Sequence, residues 1–99
     1  MLKVYIEFMI KKESRDVFLA LMPQLKQQAL AQDVEGRQVA EGTDQPLLFV
    51  EEFYVKDMDH YSRIKAERLN EDSPLWKQLH DCIQGGAQKL HIWAFKPLD

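Results

Sequence analysis

His80, four residues beyond Trp76, is the side chain of this 99-residue chain best placed to do chemistry. That spacing puts an imidazole and an indole one turn apart on one face of a helix. Facing a space between helix and sheet, the imidazole could act as a general base or as an axial ligand; the plainer alternative is a boundary histidine with no role. Cys82 follows His80 by two positions and so points elsewhere, which argues against a Cys–His nucleophilic pair and for an inert thiol. His60 falls near the start of a helix and reads as solvated. Glu51 and Glu52 are adjacent in an apolar strand, so they face opposite ways and cannot act together as acid and base within one chain. One of them is expected to bond a backbone amide or an arginine such as Arg63. His91, Trp93 and Phe95 alternate along the last strand, on the face that Tyr5 and Glu7 share if the two strands pair. This group reads either as a pocket with an aromatic wall, a histidine and a carboxylate, or as an interface core in which Glu7 and His91 satisfy each other. Tyr54 and Tyr61 could turn hydroxyls to a pocket or simply cover the sheet. No metal-ligating set is recognised.

The elements that must position these residues follow from periodicity. Leu2 to Ile10 places Leu2, Val4, Ile6, Phe8 and Ile10 on one side and Tyr5, Glu7 and Met9 on the other. Ser14 can cap a helix carrying Phe18, Leu21, Met22, Leu25 and Ala29, with a kink or break expected at Pro23. Gly36 opens a short strand, Arg37 to Glu41, and Gly42 to Pro46 reads as the turn into a long apolar strand, Leu47 to Val55. Asp57 can cap a helix bearing Met58, Tyr61, Ile64 and Leu69. Asn70-Glu71-Asp72 interrupts it, and Ser73-Pro74 restarts a helix with Trp76, Leu79 and Ile83 on one face. Gly85-Gly86 stops that helix, and a last strand runs from about Gln88 to Lys96.

The order βαββαβ, with the second helix split, is the ferredoxin-like α+β arrangement in a single domain spanning residues 1–99. Its strands are apolar on both faces, whereas a single-layer sheet in water is apolar on one. Helices can cover one face; the other, with Tyr5, Glu7, His91, Trp93 and Phe95, is expected to meet a second copy in a homodimer. Leaving those large side chains in water would forgo about 1.5–3 kcal/mol for each one fully buried. The net charge of −3, and Glu51-Glu52 on the third strand, argue against nucleic acid. No apolar run reaches membrane-span length, so no membrane partner is expected. The start of the chain lacks the pattern of a secretory signal, and a lone cysteine suits a reducing compartment, so a cytoplasmic location is expected.

Two segments carry a family resemblance. Gly36 through Phe53, with Asp44-x-Pro46 ahead of Leu47-Leu48-Phe49-Val50-Glu51-Glu52-Phe53, is similar to the turn and third strand of the antibiotic-biosynthesis-monooxygenase superfamily. Ser73-Pro74-Leu75-Trp76-Lys77-Gln78-Leu79-His80 resembles the Ser-Pro-x-aromatic helix start of the same group, which includes quinol-oxidising and haem-degrading members. The layout matches over nearly the whole chain. His80 stands where haem-degrading members carry a haem-ligating histidine. Ile6 replaces their first-strand asparagine, Leu69-Asn70 their tryptophan, and Leu75 the histidine that many monooxygenase members place after Ser-Pro. The resemblance implies a dimeric α+β barrel that binds a small apolar or aromatic molecule between the sheet and the split helix, near Trp76, Ile6, Tyr61 and Phe53. It further implies cofactor-free, oxygen-dependent oxidation of a quinol-type substrate with His80 as base. A haem-binding protein with His80 as axial ligand, and a non-catalytic dimeric binding or interaction module, are the alternatives.

Overall fold

The alternation of apolar residues along Leu2–Met9 and Leu48–Val55 makes two long strands, β1 and β3, that pair antiparallel from Leu2↔Val55 to Met9↔Leu48. The computed structural model, which describes residues 1–99, adds β2 (Glu35–Glu41) beside β3 and β4 (His91–Phe95) beside β1, giving an antiparallel sheet of order β2-β3-β1-β4. Three helices cross one face: α1 (Arg15–Ala31), α2 (Met58–Arg68) and α3 (Pro74–Cys82). This is the expected ferredoxin-like order, with the second helix split at Asn70-Glu71-Asp72.

The register assigns the faces. Val4, Ile6 and Phe8 on β1, Phe49, Phe53 and Val55 on β3 and Ile92 on β4 point to the helices and are buried. They meet Phe18, Leu21, Leu25 and Ala29 of α1, Tyr61 and Ile64 of α2, and Trp76 and Leu79 of α3. Phe8, Phe18 and Phe49 pack as an aromatic trio with centroids 4.7–6.1 Å apart.

Three expectations change. First, of the kink or break expected at Pro23, the break does not occur: α1 is one helix from Arg15 to Ala31. The proline lies on the exposed side of the helix, where water can satisfy the carbonyl its ring leaves unbonded, while Leu21 and Leu25 hold both flanks to the core. Second, the last strand is shorter than expected. Gly85 and Gly86 adopt φ of 86° and 74°, which turns the chain into a 3₁₀ turn over Gly86–Lys89 before β4 begins. Third, Ile83 lies beyond α3 and bridges to Ile10 instead of continuing the helix. At the second strand, Gly36 (φ 63°) sits in a bulge that lets β2 start earlier, at Glu35.

Asp57 caps α2 as its position implied: its Oδ1 accepts the His60 amide at 2.8 Å. Asp57→Ala should lower stability by about 1 kcal/mol, measured by urea unfolding, with the slope of the transition unchanged.

Candidate functional site

Glu51 sits on the helix side of β3, between Phe49 and Phe53 and opposite Ile6 of β1. A carboxylate buried among such neighbours demands cations. It has two. Arg68, in the last turn of α2, grips it with both terminal nitrogens, Nη1 to Oε1 at 2.5 Å and Nη2 to Oε2 at 3.0 Å. Arg37 of β2 donates from Nε to Oε2 at 2.7 Å. Burial pushes the Glu51 carboxyl up, and the charges and hydrogen bonds of Arg68 and Arg37 more than reverse this, holding it below the ordinary carboxylate range.

Arg68 organises the rest. Its guanidinium lies 4.5 Å from the Trp76 ring and 5.4 Å from that of Phe53, in cation–π range of both. Its Nε donates to Gln32 Oε1 at 3.0 Å, tying in the end of α1. Its backbone carbonyl accepts from His80 Nε2 at 2.7 Å. A carbonyl cannot donate, so the His80 proton resides on Nε2 and Nδ1 keeps a lone pair, buried and without a partner. Gln32 Nε2 is likewise buried and unpaired.

Between this cluster and the aromatic trio lies a small cavity of about 10 Å³. Glu51, Arg37 and Arg68 form its polar side; Phe8, Phe18, Met22, Trp76 and Leu79 are among its apolar walls. That volume admits one water molecule. It leaves no room for a haem macrocycle beside His80, whose Nε2 is already committed.

Of the residues nominated from sequence on this side, Trp76 borders the cavity. Ile6 and Phe53 are packed in the core, and Tyr61 donates its hydroxyl to the Ile92 carbonyl at 3.3 Å. His80 is fully buried behind the Arg68 backbone and does not line the space. Cys82 is buried two positions away, and burial pushes its thiol up, away from thiolate reactivity.

Two expectations are corrected. His60 is buried, not solvated: its Nδ1 accepts the Lys56 amide at 3.0 Å and its Nε2 donates to the Gln32 carbonyl at 2.7 Å, joining the start of α2 to the end of α1. The arginines that meet Glu51 are Arg68 and Arg37, not Arg63, which is exposed. Arg68, Arg37 and Gln32 were missed. The spacing Tyr61-Ile64-Arg68, three then four, could have revealed Arg68 as the continuation of the buried stripe of α2.

The other face of the sheet carries no helix. Tyr5 lies opposite Trp93, Glu7 opposite His91 and Lys3 opposite Phe95. Trp93 and Phe95 are 43% and 52% exposed, far above the core residues behind them. His91 stacks on Trp93 at 5.7 Å and Tyr5 meets Phe95 edge-on at 5.5 Å. Glu7 and His91 share the face without a hydrogen bond between them. Lys3 pairs with Glu52 at 3.3 Å and lies 4.6 Å from the Tyr54 ring.

No protein-family model matches the chain, and no curated protein matches it. Solved structures do. A crystal structure of an antibiotic biosynthesis monooxygenase superposes with a TM-score of 0.72 at 18% identity, covering 100% of each chain. A conserved protein from Methanosarcina mazei Go1 gives 0.71 at 16%, over 96% of this chain and 90% of that one. A Mycobacterium tuberculosis protein gives 0.68 at 16%, over 99% and 95%. The chain has the fold of these proteins along essentially its whole length.

Proposed function

We propose that the chain is a homodimeric member of the antibiotic-biosynthesis-monooxygenase superfamily that binds a small aromatic molecule between its sheet and its split helix. The observation carrying this reading is the Arg37–Glu51–Arg68 cluster, buried against an aromatic-walled cavity. Buried ion clusters are weak devices for stability, and charged groups with perturbed ionisation beside an apolar cavity mark functional sites. The fold shared with a solved antibiotic biosynthesis monooxygenase supports the same reading.

The chemistry that suits it is cofactor-free oxidation of a quinol-type substrate. A base removes a hydroxyl proton, and the electron-rich anion passes two electrons to oxygen as its second hydroxyl proton leaves, so that the quinol and oxygen become the quinone and hydrogen peroxide. His80 is the candidate base, because its proton is fixed on Nε2 and Nδ1 holds a free lone pair. His80 lies behind the cavity as it stands, so a ligand must part α3 from the sheet to reach it. The residues of the open face, Tyr5, Glu7, His91, Trp93 and Phe95, form the dimer interior in this reading.

Oxygen uptake with a panel of hydroquinones, read together with quenching of Trp76 fluorescence, tests the proposal. Uptake and quenching should both appear, and His80→Ala should abolish uptake while leaving part of the quenching. Quenching without uptake would remove the oxidation and keep the binding site. The cavity of about 10 Å³, with both guanidinium groups bonded to Glu51, favours a second reading: a non-catalytic dimeric module that keeps the fold with its interior filled. That reading holds if no ring compound quenches Trp76.

A further inference from the structure

We infer that the open sheet face is a proton-linked switch: a second copy binds it more tightly when His91 is protonated and pairs with Glu7. The inference rests on the homodimer proposed above and adds what regulates it.

The charges of this face do not cancel. β1 brings Lys3, Tyr5 and Glu7 to it, β3 brings Glu52 and Tyr54, β4 brings His91, and β2 adds Glu35 at the outer edge of the sheet. Lys3 and Glu52 pair with each other at 3.3 Å. Glu35 is exposed at the free edge, where water keeps its charge solvated. Glu7 is different. It lies half-buried on a middle strand, between Val50 of β3 and His91 of β4, and forms no ion pair. A second sheet laid over this face removes the water around that carboxylate, and a two-fold axis makes it two carboxylates in one interface. A carboxylate taken out of water must be paired or protonated.

His91 is the partner within reach. Directly opposed residues of an antiparallel pair hold their Cβ atoms about 5 Å apart, and Glu7 is opposite His91. The two line one cleft of about 450 Å³ together with Met9, Leu48 and Lys89. The imidazole stacks on Trp93 with ring centroids 5.7 Å apart, so an interface that covers Trp93 covers His91 as well.

Histidine is the side chain whose ordinary charge change falls between about pH 5 and 8. A protonated imidazole donates a charged hydrogen bond to the carboxylate and cancels its charge, whereas a neutral one leaves that charge in place. Desolvation opposes the imidazolium, but the apposed carboxylate gives it a counterion, and a neutral His91 would leave Glu7 with none. Closing the interface therefore takes up a proton at each His91–Glu7 pair. Because the dimer then holds more protons than two separate chains, association tightens as the pH falls and weakens as it rises. Lys89 lines the same cleft but is exposed, and a lysine does not change charge in this range, so the pH dependence falls to His91.

Sedimentation equilibrium at about pH 6 and about pH 8, on either side of an ordinary histidine's charge change, tests this. Salt at about 0.15 M screens the net charge of −3. The dissociation constant should be at least about tenfold lower at the acid value, since a factor of about three at each of two symmetry-related pairs multiplies to ten. Glu7→Gln removes the charge that calls for the proton and should dimerise at least as tightly at the higher pH as at the lower. His91→Gln keeps the carboxylate and removes its switch, so its dissociation constant should be the same at both. Both side chains lie outside the core, so both variants should keep the fold, which circular dichroism checks. A wild-type dimer of equal strength at the two pH values, one that weakens in acid, or acid tightening that persists in either variant overturns the inference and leaves the homodimer standing. A wild type that is monomeric at both, at micromolar concentration, removes the homodimer and the inference with it.

Discussion

Glu51→Gln should lower the unfolding free energy by about 3–5 kcal/mol, a large share of the roughly 5–15 kcal/mol that holds a domain of this size together. The substitution keeps the shape of the side chain and removes its charge. Arg68, almost wholly enclosed against Trp76 and Phe53, would then be a buried cation without a counterion, and Arg37 would lose its Nε partner. Breaking one side of a buried pair is far more damaging than replacing both. Glu51→Leu combined with Arg68→Met should therefore be more stable than Glu51→Gln alone, and urea unfolding of the three proteins measures the difference. A single variant and double variant of equal stability would show that the pair is not coupled. The pH dependence carries a second signature. The folded carboxyl titrates below its ordinary value of 4.5, so Glu51 contributes stability at pH above that value. The unfolded chain takes up the proton first, and the contribution fades as the pH falls through the lower, folded value. The wild type should lose stability in this acid range more steeply than Glu51→Gln.

The same glutamate shows how far sequence carries. The two-residue alternation of β1 and β3 depends only on strand geometry, so the division into a helix face and an open face was legible, as was the placing of Glu51 and Glu52 on opposite faces. The split of the second helix was legible because Ser73-Pro74 is a local signal. The partner of Glu51 was not, because the contact between β3 and the end of α2 is set by how the helix lies on the sheet. Arg68 is 17 residues from Glu51 along the chain. His60 failed for the same reason: its acceptor, the Gln32 carbonyl, is at the end of another helix, 28 residues away. The cavity was illegible for a further reason. Its volume is what remains after Phe8, Phe18, Met22 and Trp76 choose rotamers, and no residue type declares it.

Trp93→Ala combined with Phe95→Ala should convert a dimer into a monomer at micromolar concentration. The open face holds exposed Trp93 and Phe95 beside half-buried Tyr5, Met9, Leu48, Val50 and Tyr54. Large apolar side chains exposed together on one face, here among Lys3, Glu7, Glu52 and His91, mark an interaction surface. A second copy is the occupant proposed because the face is one side of a four-stranded sheet that no helix covers, and two such sheets can pack face to face at the usual distance of about 10 Å. A two-fold axis brings each side chain to the interface twice. Even at about 1 kcal/mol per truncated aromatic, four losses together weaken association by roughly a thousandfold. Both residues point away from the helices, so the core around Ile6, Phe53 and Trp76 stays intact and the variant should remain folded. Sedimentation equilibrium, with circular dichroism as the control for folding, distinguishes the outcomes. A wild type that sediments as a monomer at micromolar concentration removes the homodimer. A variant that stays dimeric would move the interface to the helices, and then the aromatic face would need a different partner to cover it.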